Sequence, residues 1–129
     1  MKISSRFVTP TYTLFRLVTG LLFVCHGAQK LFGAFGGTRM TAPMFVAGGV
    51  IEFVGGILIA AGLFASFAAF LASGEMAVAY FTMHAPHAFL PIVNHGELAV
   101  LYCFAFLFIA ARGSGAWSLD ALIWKRAAA

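Results

Sequence analysis

Seven polar side chains interrupt the apolar segments of this chain, and their types and spacing suggest chemistry. The stretch GLLFVCHGAQKLFGAFGG, residues 20–37, begins as a membrane-style run and then brings in His26, Gln29 and Lys30 before the run has ended. Each later apolar segment carries one glutamate: Glu52, Glu75 and Glu97. Arg16 stands upstream in the first segment. Imidazole, ammonium and carboxylate groups gathered away from water can relay protons, or serve a quinone that takes up or releases protons with its electrons. A charge facing lipid costs at least about 2.5–3.5 kcal/mol on insertion scales, so these groups should point inward and pair. The rival reading is that such pairs only fix helix register or a subunit interface.

The elements that must position these groups follow from composition and length. Hydrophobic residues make up 62% of the 129 positions and charged residues 9%. A soluble domain is closer to half apolar and a quarter charged. One small core could not hide that much apolar surface. The composition implies an all-α integral membrane protein of one domain, 1–129. A bilayer core takes about 20 residues of helix, and four segments meet that length, at about 12–33, 44–63, 66–84 and 95–112. Pro10 suits a helix start, and the Gly-, Thr- and Pro-rich GAFGGTRMTAP reads as a loop. Arg16 interrupts what would otherwise resemble a signal peptide, so the first segment reads as a retained helix. A short amphipathic tail, 116–126, carries Trp117 and Trp124 at interfacial depth.

Lys2 and Arg6 precede the first helix, while Arg112, Lys125 and Arg126 end or follow the fourth. Four helices of this length suggest a multi-pass four-helix bundle, and the positive-inside rule then predicts that both termini lie in the cytoplasm. Counted at about 1.5 Å per residue, His26 and the three glutamates fall within about 10 Å of one another in depth. Lys30 lies nearer the outer edge and shares a helix face with His26, four residues away. Within a compact bundle they would converge on one interior site, with Arg16 and Lys30 holding part of the charge balance.

Small residues suggest how the helices approach. Gly20 and Gly27 lie seven apart on the first helix, while Gly48 and Gly56 flank Glu52 on the second at spacings of four. Such residues let backbones pack closely, or admit a flat ligand beside the buried acid. His84, His87 and His95 gather toward the outer end, but Pro86 breaks the first pair, so interfacial histidines are favoured over a metal site. Cys25 and Cys103 form no C-x-x-C and read as small hydrophobes. The formal charge of +4 comes from scattered bases, which does not suggest nucleic-acid binding. There is no phosphate-binding Gly-rich loop, nucleophile elbow or C-x-x-C-H haem motif.

These motifs resemble the DoxX family of small four-helix bacterial membrane proteins. The match rests on Arg16 with L-x-x-G-x-L-F and H-G-x-Q-K-L-F-G-x-F-G-G across 16–37, and on E-F-V-G-G-I-L-I-A-A-G-L at 52–63. It continues through the third helix to N-H-G-E-L-A at 94–99 and G-S-G-x-W-S-L-D at 113–120. In the last element the family usually carries a base before the aromatic, where this chain has Ala116. The resemblance implies a redox-associated protein, since relatives include the quinone-linked subunit of thiosulfate oxidation and associates of oxidative-stress partners. The expectation is a quinone-interacting subunit with no tightly bound cofactor of its own. His26 would hydrogen-bond the quinone, the glutamates would relay protons, and a protein partner would donate electrons. A structural or assembly subunit, including a homo-oligomer, is the alternative; a small transporter or lipid carrier is the third.

Overall fold

The computed structural model describes residues 4–127, and among these residues the ordered backbone is helical without strands. Helix α1 covers Val8–Phe32 and α2 covers Pro43–Ala61, with one π turn at Ile51–Gly55. Helix α3 covers Ala65–His84 and ends in a π turn, Tyr80–His84. The short α4, Pro91–Asn94, leads into α5, Glu97–Arg112, and α6 spans Leu119–Ala127. Pro10 lies inside the first turn of α1, where its missing N–H has no intrahelical partner to lose. Gly33 (φ 67°) and Gly62 (φ 70°) close α1 and α2 in the left-handed conformation that a side chain would strain.

With its leading turn, α1 is long and apolar enough to cross a membrane, as are α2 and α3. Helix α5, at 16 residues, falls short of that length, yet it lies along α3 in the most extensive helix contact of the structure. Large apolar side chains point outward from α1, α2, α3 and α5, among them Leu14, Ile57, Phe67, Phe70, Leu101 and Phe104. In water such a surface would be one continuous exposed patch. Lipid removes that cost, provided that backbone polar groups are satisfied within the helices.

Two helix pairs build the bundle, α1 on α2 and α3 on α5, and they are joined mainly through α2 and α3. Without water to expel, helix association in lipid rests on close packing. At the α1–α2 seam an added Cβ at Gly20 would come 2.7 Å from the Gly56 carbonyl oxygen. One at Gly27 would strike the Phe53 nitrogen and lie 2.8 Å from the Gly49 oxygen. Along α3, the buried Ala65, Ala68, Ala69 and Ala72 give the same closeness to the core, which Phe23, Ile59, Phe106 and Ile109 fill.

Arg16 organises the end of the bundle that holds both termini. Its guanidinium is buried and donates to the carbonyls of Ile59 (2.6 Å) and Ala60 (2.8 Å), capping the C-terminus of α2. It also donates to the Trp117 carbonyl (2.8 Å), which holds the segment after α5 in place. Cations at a helix C-terminus are favoured by its carbonyl dipoles. Arg16 therefore balances backbone carbonyls and not the glutamates, which corrects its expected place in the charge cluster. Asp120 completes this end. Its carboxylate accepts from the N–H of Phe64 (3.0 and 3.2 Å) and the hydroxyl of Ser114 (2.5 Å). Phe64 is held at φ 49° in the tight α2–α3 turn, so Asp120 secures a backbone conformation that phenylalanine rarely adopts.

The glycine seam yields a direct test. Gly27→Ala should lower the thermal midpoint of the detergent-solubilised protein, by an amount matching about 1–3 kcal/mol of overpacking. Gly74 faces open space, so Gly74→Ala should leave the midpoint unchanged or raise it slightly, because alanine favours helix.

Candidate functional site

Lys30 sits near the end of α1, where a lysine would ordinarily stretch out to the headgroups. Here its chain turns inward instead. Nζ meets Oε1 of Glu52 at 2.5 Å, with the Glu52 side chain 3% exposed. Glu52 lies within the π turn of α2, where one residue more than the α-helical count is fitted into the turn. Such turns are frequent at functional sites because they re-aim a side chain. From α3, Glu75 brings its carboxyl to Glu52. Gly48 makes room for it: a Cβ there would lie 2.8 Å from Glu75 Oε1 and 3.9 Å from Lys30 Nζ. Gly48 thus clears space for the acid and not for helix α1, which packs on the buried Gly49.

Three helices therefore contribute one ionisable group each to a common point. Oε2 of Glu52 and Oε2 of Glu75 are buried without a hydrogen-bond partner. Two carboxyl groups beside one ammonium form a compact polar cluster between otherwise apolar helices.

Two clefts meet at this point. The larger, of about 380 Å³, lies among α1, α2, α3 and α5 and is edged by His26, Lys30, Glu52, His84, His95 and Tyr102. The second, of about 310 Å³, opens between α2 and α3 and reaches Lys30, Gly48, Glu75 and Thr82. Lys30 borders both. Elsewhere the walls are apolar, with Phe45, Ala79 and Met83 shared between the two clefts. This combination of an apolar slot and a few convergent polar groups is the usual form of a small-molecule site.

The aromatic and imidazole groups have fixed orientations. His26 stands edge-on to Tyr102 at 5.8 Å between ring centroids, and Tyr102 stacks on Phe106 at 5.4 Å. His84 Nδ1 lies 3.1 Å from the Asn94 carbonyl oxygen. A carbonyl only accepts, so Nδ1 carries the proton and Nε2 of the neutral ring is left as an acceptor. Asn94 is itself buried. Its amide donates to Ala88 O (2.9 Å) and to the Tyr80 hydroxyl (3.2 Å), and its Oδ1 accepts from Gly96 N (2.8 Å). The N-H-G-E motif thus builds the loop that aims His84.

Several residues expected at the site lie elsewhere. Glu97 is exposed at the first turn of α5, where the helix dipole favours an acid, and it borders neither cleft. Gln29 turns away to the α1–α2 loop, donating weakly to Phe35 O at 3.4 Å. Arg16 belongs to the other end of the bundle. His87 is exposed, and no cluster of three or more metal-ligating side chains occurs among the described residues. Sequence reasoning missed Tyr102, although a tyrosine in an apolar helix signals a hydroxyl that needs a polar neighbour.

The chain belongs to the DoxX family. Residues 11–85 match the DoxX family profile. Over 119 residues the chain is 42% identical to an uncharacterised protein of Haemophilus influenzae, an alignment covering 86% of this chain and 89% of that one. No solved structure matches it significantly.

The ion pair predicts a non-additive response. Lys30→Met and Glu52→Gln should each destabilise the protein by about 3–5 kcal/mol, because each leaves a buried charge unmatched. The double variant should lose far less than the sum. Equilibrium unfolding in detergent, run as a double-mutant cycle, checks this.

Proposed function

We propose that this DoxX protein binds a quinone in the cleft edged by His26, Lys30, Glu52, His84 and Tyr102, as the membrane subunit of a redox complex. The observation that carries this reading is the Lys30–Glu52 pair on the wall of this cleft, with Glu75 beside it on the adjoining second cleft. A quinone ring needs hydrogen-bond donors at its oxygens and apolar walls for its ring and tail. The Lys30 ammonium is the donor, and His84 Nε2 is the acceptor for a quinol hydroxyl. Reduction of a quinone to a quinol takes two electrons and two protons. The electrons come from a protein partner, and the two carboxyl groups pass protons from the second cleft, where Glu75 is reached.

In this reading α1, α2, α3 and α5 all span a bacterial inner membrane, with both termini in the cytoplasm. Arg6 and Arg112 stand at helix ends on the terminal side, and Lys125 follows there in α6. Lys30 is turned into the site, so Arg39 is the exposed base on the opposite side among the described residues. That distribution supports the assigned orientation.

The experiment separates binding from folding. Equilibrium dialysis of the purified protein should show saturable binding of a short-chain benzoquinone or naphthoquinone, weakened at least tenfold in Lys30→Met/Glu52→Gln. Because that double variant removes one cation and one anion together, its thermal midpoint should fall by far less than the losses of the two single variants combined. A variant that folds and still binds quinone at full affinity would reduce the cluster to a strut between helices.

A further inference from the structure

A third concave surface lies at the opposite end of the bundle, where α1 and α5 diverge. These helices share little backbone contact. Their ends are drawn together at one point by the Tyr12 hydroxyl, which donates to Gly113 O at 2.5 Å. The Phe108 ring then stands between them, edge-on to Tyr12 (5.9 Å) and Phe15 (6.1 Å). What remains is a groove of about 570 Å³, walled by Phe7, Val8, Phe15 and Phe108, with Thr11 along it and Arg112 at its rim.

The charge at this rim has no acidic partner among the described residues. Arg112 lies over the Tyr12 ring, 5.5 Å from its centroid, and the ion pair found among the described residues is Lys30–Glu52. Asp120, an acid at this end, is taken up by Phe64 N–H and Ser114. A second guanidinium, that of Arg6, stands 4.7 Å over the Phe7 ring on the same wall. Both arginines lie at helix ends, the depth at which lipid headgroups sit. The last carbonyls of α5 repel an anion, so any anion here is held by side chains. A planar guanidinium matches a phosphate with two parallel hydrogen bonds.

We propose that this groove binds one anionic phospholipid, its phosphate on Arg112 and one acyl chain along Phe7, Val8, Phe15 and Phe108. Basic pockets between membrane helices hold such headgroups, and the aromatic walls supply an apolar track that a free phosphate would not need. The site shares no residue with the quinone cleft, so it stands or falls independently of that reading.

Native mass spectrometry of the full chain provides the test. The protein is offered equal amounts of phosphatidylglycerol and phosphatidylethanolamine with identical acyl chains. One phosphatidylglycerol should be retained with about fivefold preference, the effect of one base near a headgroup. Arg112→Gln should bring the ratio close to one, whereas Arg39→Gln at the far end should leave it unchanged. Thr11→Trp, which fills the groove and keeps every charge, should remove the bound lipid. Equal retention of the two lipids by the unaltered protein would overturn the proposal. So would a preference that survives Arg112→Gln, or a lipid that survives Thr11→Trp. Should Arg112→Gln fail to fold, Thr11→Trp decides between the outcomes alone.

Discussion

A charge enclosed within a bundle that lipid surrounds has no water to fall back on, and the placement of Lys30 against Glu52 follows from that constraint. The ammonium gives up the headgroup region that its stem could reach. In exchange it neutralises an acid that α2 carries well inside its span. Once the pair is fixed, the rotation of α2 about its axis is fixed with it. The backbone approaches at Gly20, Gly27 and Gly56 then fall into register. Glu75 joins from α3 because Gly48 presents no side chain in its way. The electrostatic requirement and the packing geometry are thus satisfied by one arrangement of three helices.

The two ends of the molecule are built on different principles. At the terminal end Arg16, Asp120, Ser118 and Tyr12 connect α1, the α2–α3 turn and the segment after α5 through hydrogen bonds to backbone. Each of those donors and acceptors has found a partner, except Nε of Arg16. At the other end, carboxylate oxygens are left open beside two clefts. A closed polar network adds rigidity, whereas an open one leaves capacity for a ligand or a proton. The polar groups of the bundle are tied together at one end and left with spare capacity at the other.

Much of this is legible in the sequence, for identifiable reasons. Apolar length marks α1, α2 and α3, and counting depth brings Glu52 and Glu75 toward one level because depth depends only on helical rise, while Lys30, counted nearer the outer edge, meets Glu52 through its long side chain. What depth cannot give is the rotation of each helix about its own axis. Gln29 is adjacent to Lys30 in sequence yet faces the loop, since neighbouring residues point about 100° apart. Glu97 joins the cluster only if α5 begins before it; the helix begins at that residue, which leaves the acid exposed. Acids are the familiar counter-ions for a buried arginine, but for Arg16 the free carbonyls at the end of α2 serve equally well. Gly48 and Gly49 look interchangeable in the sequence, and only the packed structure tells which clears Glu75 and which meets α1.

The hydrogen bonds of Arg16 also bear on how the chain is made. Helix α1 is synthesised before the carbonyls of Ile59 and Ala60 and that of Trp117. Until they appear, Arg16 has none of its final partners. Its place near the start of α1 resolves this, because a guanidinium at that depth can stretch to the headgroup water while it waits. Arrival of α2 supplies two acceptors, and the segment after α5 supplies the third. The buried arginine thus marks the order of assembly, a temporary anchor at the interface that becomes a clasp only when the segment after α5 is in place.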